Sequence, residues 1–339
     1  MKAKFAYKFI LFSLPFIFLI CTYIAEDPFK VLYHYKNYYS PTGQVFSLPN
    51  RDFASTELFL NNYESHRYNS FIFGNSRSIF YHVKDWEKHI PAGSYYHFDA
   101  SKESLYGINK KMKFLDHKGV KIKTALFVID ASVLSVIKNS DGHIFIKDPV
   151  TSGESKIAFQ LEFFKVFIDY RIFISFLDYK LTGKKDRFFD VVADELTVLC
   201  NNDNNEITWP VLDSAIAANS KAYYESPKSP LYKRDSVELL LPPVIRDTQK
   251  IMLAEMRDIL VKDSTQYKFV ISPLYSEQKM NPADISYLKL LFGEQNVFDF
   301  SGRNSISENK YNYYETSHYR PQVATYIMDS IYSAEDALK

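Results

Sequence analysis

The chain has 339 residues and carries 41 Lys and Arg against 40 Asp and Glu, a formal charge of +1. That length suits one large domain or two ordinary ones around a well-buried core, and the balanced charge excludes the broad basic field that draws a protein to nucleic acid. Two cysteines, Cys21 and Cys200, and no histidine or cysteine pattern of zinc-binding spacing exclude a disulfide scaffold and a zinc module. In chain order, Lys2, Lys4 and Lys8 precede a charge-free apolar run at residues 9–25, closed by Glu26, Asp27 and Pro28. A basic flank before an apolar segment keeps the amino end in the cytoplasm. No small-residue cleavage pattern follows it. Residues 1–28 are therefore expected to be an uncleaved N-terminal transmembrane helix, a single-pass anchor with the remainder of the chain extracytoplasmic. Residues 29–60 are rich in Tyr, Asn and Ser and have poor periodicity, and residues 29–68 are expected to form a stalk that packs onto the domain.

From residue 69 onward short apolar runs alternate with longer helix-like segments. "NSFIFG" predicts a buried strand and "SIFYHVKDWEKHI" the helix after it; "YYHFDA" and "ESLYGINKKMKFLDHKG" repeat the pairing, and "KTALFVIDA" is a third strand. The rhythm breaks at about 135–242. This insertion holds a predicted hairpin around Asp141 and Gly142, one aromatic helix "AFQLEFFKVFIDYRIFISFLDY" and the polar stretch "CNNDNNEITWP". Glu162, Lys165, Asp169 and Arg171 exclude the aromatic helix as a second span. The alternation then resumes with a helix ending at Asp263, the strand "YKFVISP", the helix "PADISYLKLLFG", the strand "NVFDFSG" and a final helix. Residues 69–339 thus predict one α/β domain, a three-layer sandwich with a mainly parallel sheet of about five strands.

Two short stretches carry candidate chemistry. "FIFGNSRSIF" ends a strand abruptly in Gly74, Asn75, Ser76, Arg77 and Ser78, which suits an ordinary strand-turn-helix junction with Ser78 as helix cap, or a turn that presents the Ser76 hydroxyl at a sheet edge. "YYETSHYRP" places Glu315 and His318 three residues apart before a helix that Pro321 can open. A serine becomes a useful nucleophile when an imidazole accepts its proton and a carboxylate holds that imidazole in its useful tautomer. Loops after the first and last strands of a parallel sheet emerge at the same edge, so the two stretches can meet. Arg77 suits either an anionic substrate group or a solvated helix start. Arg320 reads as a surface residue and Tyr319 as a packing one.

Together "GNSRS" and "ETSHYRP" resemble the end blocks of the SGNH/GDSL hydrolase-like family. The nearest likeness is its membrane-anchored branch, which includes D-alanyl-transfer proteins of teichoic acid operons and alginate-acetylation proteins. The resemblance implies a flavodoxin-like fold with Ser76 as nucleophile, His318 as general base and Glu315, in place of the usual aspartate, as orienting carboxylate. In that family a glycine after the second strand and an asparagine after the third donate to the oxyanion. Here "FDASKESLYG" and "FVIDASVL" carry neither, Asp130 stands near the asparagine position, and backbone N–H groups of Ser76, Arg77 and Ser101 are the expected substitutes. Gly74, Asn75, Arg77, Ser101 and Asp130 are thus the expected oxyanion or substrate-binding set. No metal and no cofactor are called for. The implied activity is acyl-ester hydrolysis or O-acetyl transfer on a cell-envelope polysaccharide, with the membrane and a membrane-bound acyltransferase as partners. The alternative is a catalytically weak glycan-binding or scaffold protein of an envelope assembly complex.

Overall fold

The alternation of apolar runs and helical segments is realised in a computed structural model that describes residues 2–39, 49–183, 198–226, 229–234 and 237–336. Helices α1 (Lys2–Glu26) and α2 (Arg51–His66) precede strand β1 (Ser70–Gly74), and α3 (Val83–Trp86), β2 (Tyr95–His97), α4 (Leu105–His117) and β3 (Thr124–Ile129) follow. The insertion contributes α5 (Ala131–Ser135), α6 (Pro149–Ser152), α7 (Lys156–Phe167), α8 (Tyr170–Thr182), the strand pair β4 (Leu199–Cys200) and β5 (Ile207–Thr208), and α9 (Pro210–Glu225). Then come α10 (Asp247–Asp263), β6 (Gln266–Ile271), α11 (Pro282–Phe292), β7 (Val297–Asp299), the pair β8 (Tyr313–Glu315) and β9 (His318–Tyr319), and α12 (Pro321–Asp336).

Five strands form one sheet in the order β2-β1-β3-β6-β7, every neighbouring pair parallel. Helices flank it, as in a three-layer sandwich, with α4 packed on α10 and α3 on α12. Strands covered on both faces are apolar throughout rather than alternating, and all residues of β1 and β3 are buried. Register places Phe73 beside Phe127 and Phe127 beside Phe269. Their rings stack at 5.2 and 4.4 Å, and Phe292 of α11 closes the row 4.3 Å from Phe269. Each such ring contributes about 1.5–3 kcal/mol by leaving water. Because β2 lies on one side of β1 and β3 on the other, the chain reverses its winding direction there. The carboxyl ends of β1 and β3 therefore flank a topological switch point, where ligands collect in sheets of this kind.

Several local expectations are corrected. Residues 9–25 do lie within one helix, α1, but among the described residues no helix is long and apolar enough to cross a membrane. The expected transmembrane helix is not found as such: the charge-free run measures about 25 Å at 1.5 Å per residue, short of roughly 30 Å of hydrocarbon. The first side chains of α1 lie outside the described residues. The segment expected as a stalk packs closely on the sheet domain. Asn50 caps α2 by accepting from the Phe53 N–H, nine residues of α2 are buried, and Phe29, Val31, Tyr38 and Tyr39 join the core; residues 40–48 lie outside the described residues. The helix expected at "SIFYHVKDWEKHI" is split into a 3-10 turn, Ser78–Phe80, and the single turn of α3, with extended backbone at His82 between them. The Ser78 hydroxyl donates to the Asn75 carbonyl at 2.7 Å instead of capping.

Within the insertion, the aromatic helix is two helices, because Asp169 interrupts it and its carboxylate caps α8 at the Arg171 N–H. The segment around Asp141 and Gly142 is a turn, and the hairpin sits at β4 and β5. Its loop is stitched to the sheet: the His97 N–H donates to the Asn204 carbonyl, and the Asn205 amide donates to the His97 carbonyl. Residues 184–197, 227, 228, 235 and 236 of the insertion lie outside the described residues.

Candidate active site

β1 delivers Ser76 to the carboxyl edge through a turn that only glycine can begin. A Cβ on Gly74 would lie 2.5 Å from the Val128 carbonyl oxygen on the neighbouring strand and 2.9 Å from Ser78 Cβ. From the other end of the chain, β8 and β9 pair with a register irregularity that sets Glu315 directly opposite His318. The stretch expected as a loop is thus a tight hairpin. Glu315 Oε1 hydrogen-bonds His318 Nδ1, and Glu315 Oε2 accepts from the Ser317 N–H at 2.7 Å. Cross-strand pairing spans the reach that the longer glutamate requires.

The two ends meet. His318 Nε2 lies 2.6 Å from Ser76 Oγ. With Nδ1 donating to Glu315, Nε2 is left as acceptor for the serine hydroxyl. Burial opposes ionisation of Glu315, but its hydrogen bond to His318 and the neighbouring donors outweigh that and hold its carboxyl below the usual range. The imidazole rests on an aromatic wall: the Trp209 ring lies 4.9 Å away at 73°, and the Phe80 ring 5.9 Å away at 69°. Trp209 comes from the insertion, just ahead of α9. Its only sequence signal was a lone tryptophan before a helix-opening proline.

At the switch point Asp130 does the opposite of what an oxyanion donor would do. Its Oδ2 accepts from Arg77 Nη1 at 2.5 Å and from Asn75 Nδ2 at 2.9 Å, while Oδ1 accepts from the Ser132 N–H at 2.7 Å, the Val133 N–H at 3.1 Å and the Ser132 hydroxyl. Asp130 is both the cap of α5 and a clamp across β1 and β3 that fixes the residues on either side of Ser76. The Arg77 N–H is taken by Asn75 Oδ1 at 3.0 Å, so it is not the free donor expected of it. The backbone N–H groups of Ser76 and Ser101, in contrast, have no protein acceptor among the described residues. Ser101 occupies the turn after β2, adjacent to Ala100, whose N–H donates to the Gly74 carbonyl at 3.2 Å. Arg320 pairs with neither Glu315 nor Asp130; its Nη2 lies 4.0 Å from Asp213 Oδ1. Tyr319 packs in the core below the site, its hydroxyl 3.3 Å from that of Tyr81, and burial pushes its phenol up to about 12.

Burial opposes the charge on Asp130, yet the Arg77 guanidinium with the Ser132 and Asn75 donors outweighs it and holds the carboxyl below the usual carboxylate range. A depressed folded-state value contributes stability that is fully present above the unfolded value of about 3.9 and is lost as pH falls through the folded one. Asp130→Asn is therefore expected to destabilise the protein by about 1–3 kcal/mol at pH 7, with the deficit narrowing as pH falls below about 4. Urea titrations of both proteins at a series of pH values measure it, and a deficit constant across that range would contradict the clamp.

Among the described residues no cluster of three or more His, Cys, Asp or Glu side chains could hold a metal ion. No protein-family model matches the chain, and no curated protein matches it significantly.

Proposed function

We propose that the protein is a serine-type acyl-ester hydrolase or O-acyltransferase of the SGNH kind, acting on a cell-envelope polysaccharide. The observation that carries the reading is the 2.6 Å contact between Ser76 and His318, residues 242 apart in sequence, with Glu315 behind the imidazole. In the reaction His318 Nε2 takes the Ser76 proton as Oγ bonds to the acyl carbon. The ester C–O bond breaks, and the departing oxygen takes that proton from the imidazolium. Water or a sugar hydroxyl then attacks the acyl-enzyme and gives its proton to His318, and the imidazolium passes it to Ser76 Oγ as the acyl–oxygen bond breaks. The Ser76 and Ser101 N–H groups are the proposed oxyanion donors, replacing the side-chain amide for which Asp130 leaves no place.

The glycan substrate and a membrane-bound acyltransferase partner are proposed from the resemblance of the two end blocks. Attachment to the membrane through α1, with the domain outside the cytoplasm, rests on the lysines before residues 9–25 and on the exposed rings of Phe5, Phe9, Phe12 and Phe16. A short apolar segment is accommodated by local thinning of the bilayer.

The test is covalent labelling of the full chain in detergent by a fluorophosphonate, which needs an activated serine but no particular acyl pocket. Ser76 is expected to be labelled, and His318→Ala to lose the label. A folded protein that is not labelled at Ser76 overturns the enzyme reading. One observation favours a second reading as glycan-binding scaffold, the acceptor carboxylate of Asp130 where the family places a donor. Retention of glycan binding in an unlabelled protein would select it.

A further inference from the structure

Helices α7 and α8 are fastened to the domain by one face each. Phe159, Phe163 and Phe167 of α7 are buried at four-residue spacing, and Ile172, Ser175 and Phe176 are the buried residues of α8. The other faces have an unusual composition. In α7 and its C-cap, Ile157, Leu161, Phe164 and Ile168 recur at i, i+4, i+7 and i+11. Tyr170, Ile174, Leu177 and Leu181 repeat the same spacing in α8. A helix on the surface of a water-soluble domain carries polar residues on the face turned from the core. Here Ile157 is 74 % exposed, Tyr170 71 % and Leu181 86 %, Leu161, Ile168, Ile174 and Leu177 keep between 37 % and 57 % of their surface exposed, and Phe164 is the most covered of the eight.

What partly covers Phe164 is α1. The rings of Phe16 and Tyr23 lie 6.0 and 5.3 Å from Phe164, and Phe18 lies 6.4 Å from Phe173 of α8. The Tyr23 hydroxyl donates to Gln160 Oε1 at 3.1 Å, and Lys180 Nζ pairs with Glu26 Oε2 at 2.6 Å. The hairpin therefore runs beside the C-terminal half of α1, and its two apolar stripes continue the apolar surface of that helix.

We propose that the α7–α8 hairpin is a second membrane-contacting element, bedded in lipid beside α1. The inference rests on the reading of α1 as a membrane anchor. A stripe fastened along a lipid-embedded helix shares that helix's depth, which selects lipid as the occupant over a soluble partner. Helices of 12 and 13 residues measure about 18–20 Å, too short to span the hydrocarbon core, so the hairpin lies at the interface as amphipathic helices do. Lys165, Arg171 and Lys180 are exposed on the same two helices, and their stems can carry charge up to the lipid headgroups.

The experiment uses the full chain with both free cysteines replaced (Cys21→Ser, Cys200→Ser). Single variants Phe12→Cys, Leu161→Cys, Ile174→Cys and Lys221→Cys, each at an exposed position, carry a nitrobenzoxadiazole probe. The proteins are placed in phosphatidylethanolamine and phosphatidylglycerol vesicles. Probes at 161 and 174 are expected to lose quenching by aqueous iodide and to gain quenching by doxyl-labelled lipid, relative to the probe at 221 on α9. If the probe at 12 is in lipid while those at 161 and 174 are quenched by iodide like that at 221, the hairpin proposal falls and the anchor stands. Shielding of 161 and 174 from both quenchers means that protein covers the face, a second copy or a partner helix, and also overturns it. Iodide quenching at position 12 removes the anchor reading, and the inference with it.

Discussion

Alanine at Ser76 or at His318 is expected to lower kcat for ester cleavage or acyl transfer on the order of 10⁴-fold or more, and the double variant is expected to be no slower than the worse single one. The non-additivity follows from geometry. The hydroxyl and imidazole share one proton across 2.6 Å, so removing either partner removes the activated nucleophile, and nothing remains for the second substitution to take. Initial rates on an aryl acetate, with circular dichroism to verify folding, measure the effect. Losses that multiply would show two independent contributions and would break the proposed triad. Glu315→Gln supplies a graded control: it keeps the hairpin and the length of the side chain while removing the charge that faces the imidazole, so its rate should fall between the wild type and the alanine variants.

The second large effect concerns the turn that carries Ser101. Lys111 of α4 is fully buried, with its ammonium 2.7 Å from Glu103 Oε2 and 3.0 Å from Asp52 Oδ2, and it donates to the Phe98 and Asp99 carbonyls at 3.3 Å each. Lys147 completes the cluster, 2.6 Å from Glu103 Oε1. Burial works against the charge on Asp52, but Lys111 and Lys147 outweigh it and hold its carboxyl below the usual range. Lys111→Met fits the space yet strands two buried carboxylates with one remaining cation. Breaking one side of a buried network in this way costs about 3–5 kcal/mol, which urea denaturation would register as a lowered midpoint at unchanged slope. Because the same ammonium pins the chain between β2 and α4, turnover should fall as well, even under conditions where the variant remains folded. A loss below about 1 kcal/mol would mean that the cluster relaxes or admits water, and that Ser101 is held by other contacts.

The alternation of strand and helix was legible in the chain because hydrophobic periodicity is local: "NSFIFG", "KTALFVIDA" and "YKFVISP" each announce a strand by themselves, and each takes its place in the sheet. The two end blocks were legible for a similar reason, since Gly74 before Ser76 and Glu315 three residues before His318 are short-range patterns. Helix α2 within residues 29–68 was not legible because it has little helical amphipathicity to read. Its first nine residues, charged ones among them, are buried through long-range pairs such as Arg51 with Asp99. The single aromatic helix was misjudged because apolar residues surround both α7 and α8, which hid the break at Asp169.

By itself, then, the amino-acid sequence determined the alternation of strands and helices, the parallel arrangement of the sheet and the residue types available at each end of it. Only the tertiary structure decided that Ser76 and His318 touch, that Trp209 walls the imidazole and that Asp130 is an acceptor clamping Asn75 and Arg77. It alone turned α7 and α8 into a hairpin beside α1. The physical reason is that each of these contacts joins segments far apart in sequence, so its geometry depends on how the sheet edge and the insertion pack together, and no local period or propensity along the chain encodes that packing.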